Sequence, residues 1–257
     1  MISRSLLKEI RNLQQKKHRK LSQRFVAEGE KVVHEFLTEG WQPQRIIAVR
    51  EWLQQYPQWA ERFRSIVHEA SEAEMERLTN LKTPSPVLIV LPQRWLPLDE
   101  LHLSSGWLLG LDAVSDPGNL GTLIRIADWF GLTGIICSPE CAEVYAPKVV
   151  QASMGSLARV QVTQAALIDV LARFPGLHAV GADATGSISS PRWQPPPSGL
   201  LVIGNESRGI RDELKSVLHQ TVAIPRYGIA ESLNAAVAAA ILCYQLRMAV
   251  PAQADNC

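Results

Sequence analysis

Leu6, Ile10 and Leu13 recur at helical spacing at the head of the chain, with polar and basic residues between them. That pattern predicts an amphipathic helix with one cationic side. From Phe25 to Leu91 the pattern switches repeatedly. KVVHEFLTEG, SEAEMERLTN and most of EWLQQYPQWAERF read as helix, whereas RIIAV, SIVHE and PVLIVL are short apolar runs of strand composition. Such alternation predicts a small α/β layer domain. A second alternation begins with WLLGLDAV, which reads as a buried strand. NLGTLIRIADWFG follows as helix, GIICS as strand, APKVVQASMG as short helix and ARVQVT as strand. AALIDVLARF, HAVGAD, GLLVIG, RDELKSVL, TVAIP and an alanine-rich run then read as helix, strand, strand, helix, strand and helix. Six strands with intervening helices predict an α/β fold with a mostly parallel six-stranded sheet, covered on both faces.

The same pattern divides the chain. Residues 1–24 form a basic helical arm, 25–95 a small α/β domain, 96–105 a linker of mixed polarity, 106–250 the second α/β domain and 251–257 a disordered tail. The stretch TGSISSPRWQPPPSG, residues 185–199, reads as a surface loop, because its prolines disfavour both helix and sheet. The polar residues of the arm leave no room for the apolar core of a signal peptide. No run approaches the ~20 apolar residues of a membrane span. A soluble, cytosolic protein is therefore expected.

Charge placement says more than charge amount. With 46% apolar and 20% charged residues the composition is that of an ordinary globular protein, which excludes disordered and collagen-like classes. The net charge is only +1, yet the arm carries Arg4, Lys8, Arg11, Lys16, Lys17, Arg19, Lys20 and Arg24 against Glu9 alone. A cationic arm on a near-neutral chain suits contact with nucleic-acid phosphates, or else forms a solvated face. Cys137, Cys141, Cys243 and Cys257 show no CxxC spacing and no clustered histidines, which argues against zinc and favours free thiols, with Cys243 in the core.

Ligands of open α/β sheets sit beyond the carboxyl ends of the strands, so polar residues just after strands matter most. In DAVSDPGNLGTLIRIADWFG, Pro117 and Gly118 make a turn, Asn119 is an N-cap candidate and Arg125 lies within the helix. Six residues at about 100° each separate Asn119 from Arg125 by roughly 240° around the axis, so they fall on different sides unless the cap folds back. Taken alone, Arg125 reads as a surface or inter-subunit ion-pair residue and Asn119 as a plain N-cap, ahead of any catalytic role. In LLVIGNESRGI, Gly204 would let a ligand approach the backbone, and Glu206 is either a helix-start anion or a functional carboxylate. In IPRYGIAESLNAAVAAAILCY, Ser232 is an N-cap candidate, and the run of alanines implies that another backbone comes very close. Neither GxGxxG nor GxxxxGK[ST] occurs where a dinucleotide fold or a P-loop would need it.

DPGNLGTLIRIADWFG, LVIGNESRGI and IPRYGIAESLNAAVAAAI, in this order, resemble the three motifs of the SpoU (TrmH-like) branch of the SPOUT RNA methyltransferases. YAPKVVQASMGSLARVQV is similar to that family's region between its first two motifs. RFVAEGEKVVHEFLTEGWQPQRIIAV resembles the small RNA-substrate-binding domain that many members carry in front. The resemblance implies a C-terminal trefoil knot, S-adenosylmethionine bound in it without a metal, and a homodimer. It further implies methyl transfer to a ribose 2′-hydroxyl of ribosomal or, failing that, transfer RNA. By motif position Ile203, Gly204, Ile224, Ser232 and Leu233 would hold the cofactor, and Asn119, Arg125, Glu206, Ser232 and Asn234 would form the polar active site. Arg125 would clamp a phosphate and stabilise developing negative charge rather than accept a proton, because guanidinium groups stay charged in proteins. RNA would be held by the arm residues. Two other readings compete with this one: a non-catalytic RNA-binding or ribosome-assembly protein on the same fold, and an unrelated doubly wound nucleotide enzyme, which would lack a phosphate loop and leave the arm unexplained.

Overall fold

The structure, a computed structural model, describes residues 2–101 and 105–249. The tail 251–257 lies outside the described residues, as does part of the linker, 102–104. The described residues form two compact units, the first comprising residues up to Arg94 together with Glu143–Arg159, the second the remainder.

The first unit opens with α1 (Arg4–Asn12) and α2 (Lys16–Ser22), followed by β1 (Arg24–Glu28), α3 (Glu30–Thr38) and β2 (Arg45–Ala48). It continues with α4 (Arg50–Gln55), α5 (Pro57–Arg62), β3 (Val67–Glu69), α6 (Glu72–Leu78) and β4 (Val87–Pro92). The helical arm is part of the fold, because Leu6, Ile10 and Leu13 are buried. Gln23 sits at φ 53°, and this left-handed residue ends α2 and turns the chain straight into β1. No glycine or proline marks that turn, so β1 had no visible start, and Arg24 belongs to the strand rather than to the arm. Pro57 splits EWLQQYPQWAERF into α4 and α5, since the residue before proline is pushed out of the helical region. Ser71 and Glu74 form a capping box at the start of α6, with Ser71 Oγ accepting the Glu74 N–H and Glu74 accepting the Ser71 N–H. The sheet runs in the order β1-β4-β2-β3, antiparallel except for the β2–β3 pair.

Residues 143–159, read from the sequence as part of the second domain, pack in the first unit. The Tyr145 ring lies 4.6 Å from that of Phe25, and Trp41 Nε1 donates to the Ala158 carbonyl at 2.9 Å. Arg19 grips Glu143 with two N–H···O bonds of 2.7 and 2.6 Å. These contacts join residues more than a hundred positions apart, which no local pattern reports.

The second unit contains β5 (Trp107–Leu111), α7 (Pro117–Trp129) and β6 (Gly134–Cys137), after which α8 (Pro147–Ala152) falls within the segment that joins the first unit. It resumes with β7 (Val162–Gln164), α9 (Leu167–Arg173), β8 (Ala179–Ala182), β9 (Ile188–Ser189) and β10 (Gly199–Ile203). The last elements are α10 (Asp212–Lys215), β11 (Gln220–Ala223) and α11 (Ala235–Ala249). Its sheet is entirely parallel, in the order β7-β6-β5-β10-β8-β11-β9. All of β5 and β10 is buried, as expected of a sheet covered on both faces.

Among the described residues the sheet has seven strands rather than six. The extra one, β9, comes from the proline-rich stretch 185–199 and pairs with β11 through Val222–Ile188 and Ala223–Ser189. That stretch is anchored by Trp193, buried edge-to-face against Trp107 at 5.8 Å, while Trp107 Nε1 donates to the Pro196 carbonyl at 3.1 Å. No proline falls within β9: Pro191, Pro195, Pro196 and Pro197 all follow it, outside the ladder. The linker is likewise partly structured. Leu96 N–H donates to the Val162 carbonyl at 3.0 Å, and Leu101 is buried.

Candidate active site

Strand order reverses direction at β5: β6 and β7 lie on one side, and the later β10, β8 and β11 on the other. A crevice beyond the carboxyl ends of two strands at such a reversal is the usual ligand position in open α/β sheets. Leu111 and Ile203 are in register at the ends of β5 and β10, and the Asp112 N–H donates to the Ile203 carbonyl at 2.8 Å. The loop 112–116 and the loop 204–211 leave from this pair, and the segment 224–234 leaves from the end of β11.

Three polar side chains, one from each motif, form a hydrogen-bonded chain. Asn234 Nδ2 donates to Asn119 Oδ1 at 2.9 Å, and Asn119 Nδ2 donates to Glu206 Oε1 at 2.9 Å. Glu206 also accepts the Ser115 and Asp116 N–H groups and the Ser115 hydroxyl, each at 3.3 Å. Partial burial works against ionisation of Glu206, but the hydrogen bonds from Asn119, Asp116 and Ser115 outweigh it and hold the carboxyl below its ordinary range. Asn234 Oδ1 meanwhile accepts the Ala236 and Val237 N–H groups at 2.9 and 3.2 Å, so both ends of its amide are committed. With these partners the amide of Asn119 can face only one way.

Both N-cap expectations are corrected. Asp116 caps α7, accepting the Asn119 N–H at 2.7 Å, with Pro117 at the first helical position. Asn119 therefore sits inside the first turn, where its side chain is free to reach Glu206. Asn234, not Ser232, caps α11, and Ser232 is exposed in the irregular segment before it. The Asp-Pro pair was the overlooked signal at α7.

Gly204 also has a different reason from the one its sequence suggests. A Cβ there would lie 2.2 Å from the Gly209 carbonyl carbon and 2.3 Å from the Ile210 nitrogen. The tight approach is that of its own loop, closed by the two backbone bonds between Asn205 and Gly209 of 3.0 and 2.9 Å, with Gly209 at φ 69°. Asn205 laces this loop to the first one, donating to the Ala113 carbonyl at 2.8 Å.

Arg125 stands apart. It is exposed on α7, on the stripe of Thr122 and Trp129, and makes no hydrogen bond or ion pair among the described residues. The structure thus joins Asn119, Glu206 and Asn234 directly and leaves the guanidinium unengaged. Sequence reading missed Asp112, a carboxylate with no solvent exposure. It accepts the Arg211 N–H at 2.9 Å and the Arg211 Nε at 2.8 Å, with Nη2 at 2.6 Å. A charged residue closing a wholly apolar strand was its one signal.

The residues expected around S-adenosylmethionine fit an adenosyl group. Ile203 is buried at the strand end, Ile224 is partly buried and Leu233 half-exposed. From Ile224 to Leu233 no backbone N–H or C=O bonds to another backbone group among the described residues, and apart from the Ala230 carbonyl, which accepts from Arg226 Nη1 at 3.4 Å, these donors and acceptors are available to a ligand. No group of three His, Cys, Asp or Glu among the described residues is placed to hold a metal ion. Cys137, Cys141 and Cys243 are buried free thiols.

In the first unit, Arg4, Lys8, Lys16, Lys17 and Lys20 are exposed and make no ion pair among the described residues. Three other arm residues expected to contact RNA are engaged within the protein. Arg19 is buried against Glu143, and Arg24 pairs with Glu9 at 2.5 Å. Arg11 donates Nε to the Arg77 carbonyl at 3.0 Å. Arg19 in particular is not presented to a phosphate. No helix among the described residues is long and apolar enough to cross a membrane.

Known proteins resemble this chain in both sequence and fold. Residues 106–244 match the SpoU rRNA Methylase family, and residues 5–88 match the MRM3-like substrate binding domain. The 23S rRNA (guanosine(2553)-2'-O)-methyltransferase RlmP of Bacillus subtilis is 32% identical over 244 residues, covering 94% of this chain and 95% of that one. The 23S rRNA (uridine(2479)-2'-O)-methyltransferase of Streptomyces viridochromogenes is 34% identical over 185 residues, 68% of this chain and 64% of the relative. Among solved structures, an AdoMet-bound rRNA methyltransferase from Sinorhizobium meliloti superimposes with a TM-score of 0.89 at 31% identity, covering 98% of this chain and 97% of the other.

Proposed function

Since the chain belongs to the SpoU rRNA methylase family, we infer that it transfers a methyl group from S-adenosylmethionine to a ribose 2′-hydroxyl of ribosomal RNA. The observation that carries this reading is the hydrogen-bonded chain Glu206–Asn119–Asn234, which draws one residue from each motif to the switch point of the sheet. The cofactor supplies an electrophilic methyl group, and no metal is needed for such a transfer. Backbone around Ile203, Gly204, Ile224, Ser232 and Leu233 would hold the adenosyl part. Asn119 and Asn234 each keep one amide N–H beyond the bonds described, and these donors would face the ribose and its developing negative charge. Arg125, a fixed cation with no partner of its own among the described residues, would clamp the neighbouring phosphate. Glu206, ionised and saturated with donors, would orient Asn119 rather than accept the proton.

Exposed Lys16, Lys17 and Lys20, with Arg4 and Lys8, would contact RNA phosphates from the first unit, giving affinity that weakens with salt. Val237, Ile241, Tyr244 and Met248 recur along one exposed face of α11, and Trp129 is 81% exposed on α7. Apolar exposure on that scale supports pairing with a second copy, as a homodimer. A trefoil knot is supported by the position of β10, which lies between the earlier strands β5 and β8. An rRNA substrate suits a cytoplasmic enzyme.

The test is transfer of labelled methyl from S-adenosylmethionine to total RNA lacking the native modification, followed by size fractionation and alkaline hydrolysis. Label in a ribosomal RNA at an alkali-resistant linkage is the expected result. RNA retention and cofactor binding without label would instead favour a binding protein on this fold.

A further inference from the structure

Asp112 and Arg211 lie at the roots of the two loops that carry the polar chain. Asp112 is the first residue after β5, and Arg211 immediately precedes α10. The Asp112 carboxylate has no solvent exposure, and the Arg211 backbone and guanidinium both bond to it, at 2.9, 2.8 and 2.6 Å. The outer side of the same guanidinium reaches Glu140 at 3.5 Å. Three residues beyond Asp112, the Ser115 N–H donates to Glu206, and five residues beyond Glu206 the chain returns to Arg211. The two loops are therefore pinned at both ends, by the ion pair at the roots and by the Glu206 carboxylate at the tips. Between these pins runs the bond from Asn205 to the carbonyl of Ala113, a non-glycine residue held at φ 55°. That conformation is rare for alanine and persists only where the surroundings over-determine it.

We propose that the Asp112–Arg211 ion pair is a positioning device that sets the Glu206 carboxylate against the Asn119 amide, without itself touching substrate or cofactor. It rests on the reading of Asn119 and Glu206 as active-site groups. Loss of the pair frees the loop roots, so Glu206 drifts from Asn119, while Ile203, Ile224, Ser232 and Leu233, which lie outside the two pinned loops, keep their places. A misplacement of about 1 Å can cost on the order of a hundredfold in rate, so kcat should fall by about that factor while KM for S-adenosylmethionine changes little.

Three variants of the full-length chain test this: Asp112→Asn, Arg211→Ala and the conservative Arg211→Lys, which keeps a charge and the backbone bond and should fold even if the other two do not. Besides turnover, the readout is the side-chain amide signal of Asn119 in ¹H–¹⁵N NMR, assigned with Asn119→Asp. The expected result is an Asn119 signal shifted from wild type in Asp112→Asn and Arg211→Ala and largely restored in Arg211→Lys, with kcat following the same order. An unchanged Asn119 signal in folded variants overturns the proposal, whatever the activity. A shifted signal in a protein whose wild type transfers no methyl group leaves the ion pair as a positioning device and removes the catalytic reading instead.

Discussion

Asn234 donates its amide N–H to the Asn119 side-chain oxygen across 115 positions of sequence, while its own oxygen caps α11. One residue thus does two jobs: it ends the irregular segment that would face the cofactor, and it fixes the amide that meets Glu206. Removing it should be felt in both stability and turnover.

Asn234→Ala should lower stability by about 1 kcal/mol through the missing cap and should also reduce turnover. Since Asn119 and Asn234 act through one bond, their alanine variants should be non-additive, with a coupling of about 0.5–3 kcal/mol in transition-state stabilisation. A double-mutant cycle on kcat/KM measures it. Independent losses would show that the bond is incidental.

Arg125→Ala should leave the thermal midpoint unchanged, because exposed side chains with no partner usually contribute within about 0.5 kcal/mol. Cofactor binding, read by calorimetry, should survive while methyl transfer is abolished. Turnover at the wild-type rate would remove Arg125 from the mechanism.

Gly204→Ala should destabilise the second unit by about 1–3 kcal/mol, since the new methyl would overlap the Gly209–Ile210 backbone. Loss of S-adenosylmethionine binding should accompany it. A variant that binds the cofactor normally at the wild-type thermal midpoint would mean that the loop can open at no cost.

Within the arm, cations should differ by what they already touch. Replacing Lys16, Lys17 and Lys20 together should flatten the salt dependence of RNA binding, by a log–log slope of about 0.7–0.9 for each phosphate that a lysine no longer neutralises. Arg19→Ala should leave that slope alone and instead cost about 3–5 kcal/mol of stability, by leaving Glu143 without its partner. Filter binding across a salt series, paired with denaturant melts, separates the two effects.

Acid should weaken the fold through His178. Burial, and then the His219 ring at 4.6 Å, lower its pKa from the ordinary 6.5. The unfolded chain consequently takes up a proton where the folded His178 does not. Its contribution is complete above about pH 6.5 and is lost as pH falls through the lowered folded value. Thermal midpoints between pH 7 and about pH 5 should decline less steeply in His178→Gln than in wild type; equal slopes would assign the acid sensitivity to other groups.

Local pattern determined much of this protein by itself. Alternating apolar runs marked most strands and helices, because burial on a sheet or along a helix face imposes periods of two and 3.6 residues that survive any tertiary arrangement. The three motifs were legible for a similar reason, since each is a short contiguous stretch. Tertiary structure alone decided which residues within them meet. The order of β10 between β5 and β8, the capture of residues 143–159 by the first unit and the extra strand from a proline-rich stretch all depend on partners distant in sequence. Asp112 became visible only with Arg211 placed against it, and Arg19 passed from a candidate phosphate ligand to a buried ion pair once Glu143 was beside it. A charge has no period along the chain; its role is set by the single group it faces, and folding supplies that group from elsewhere.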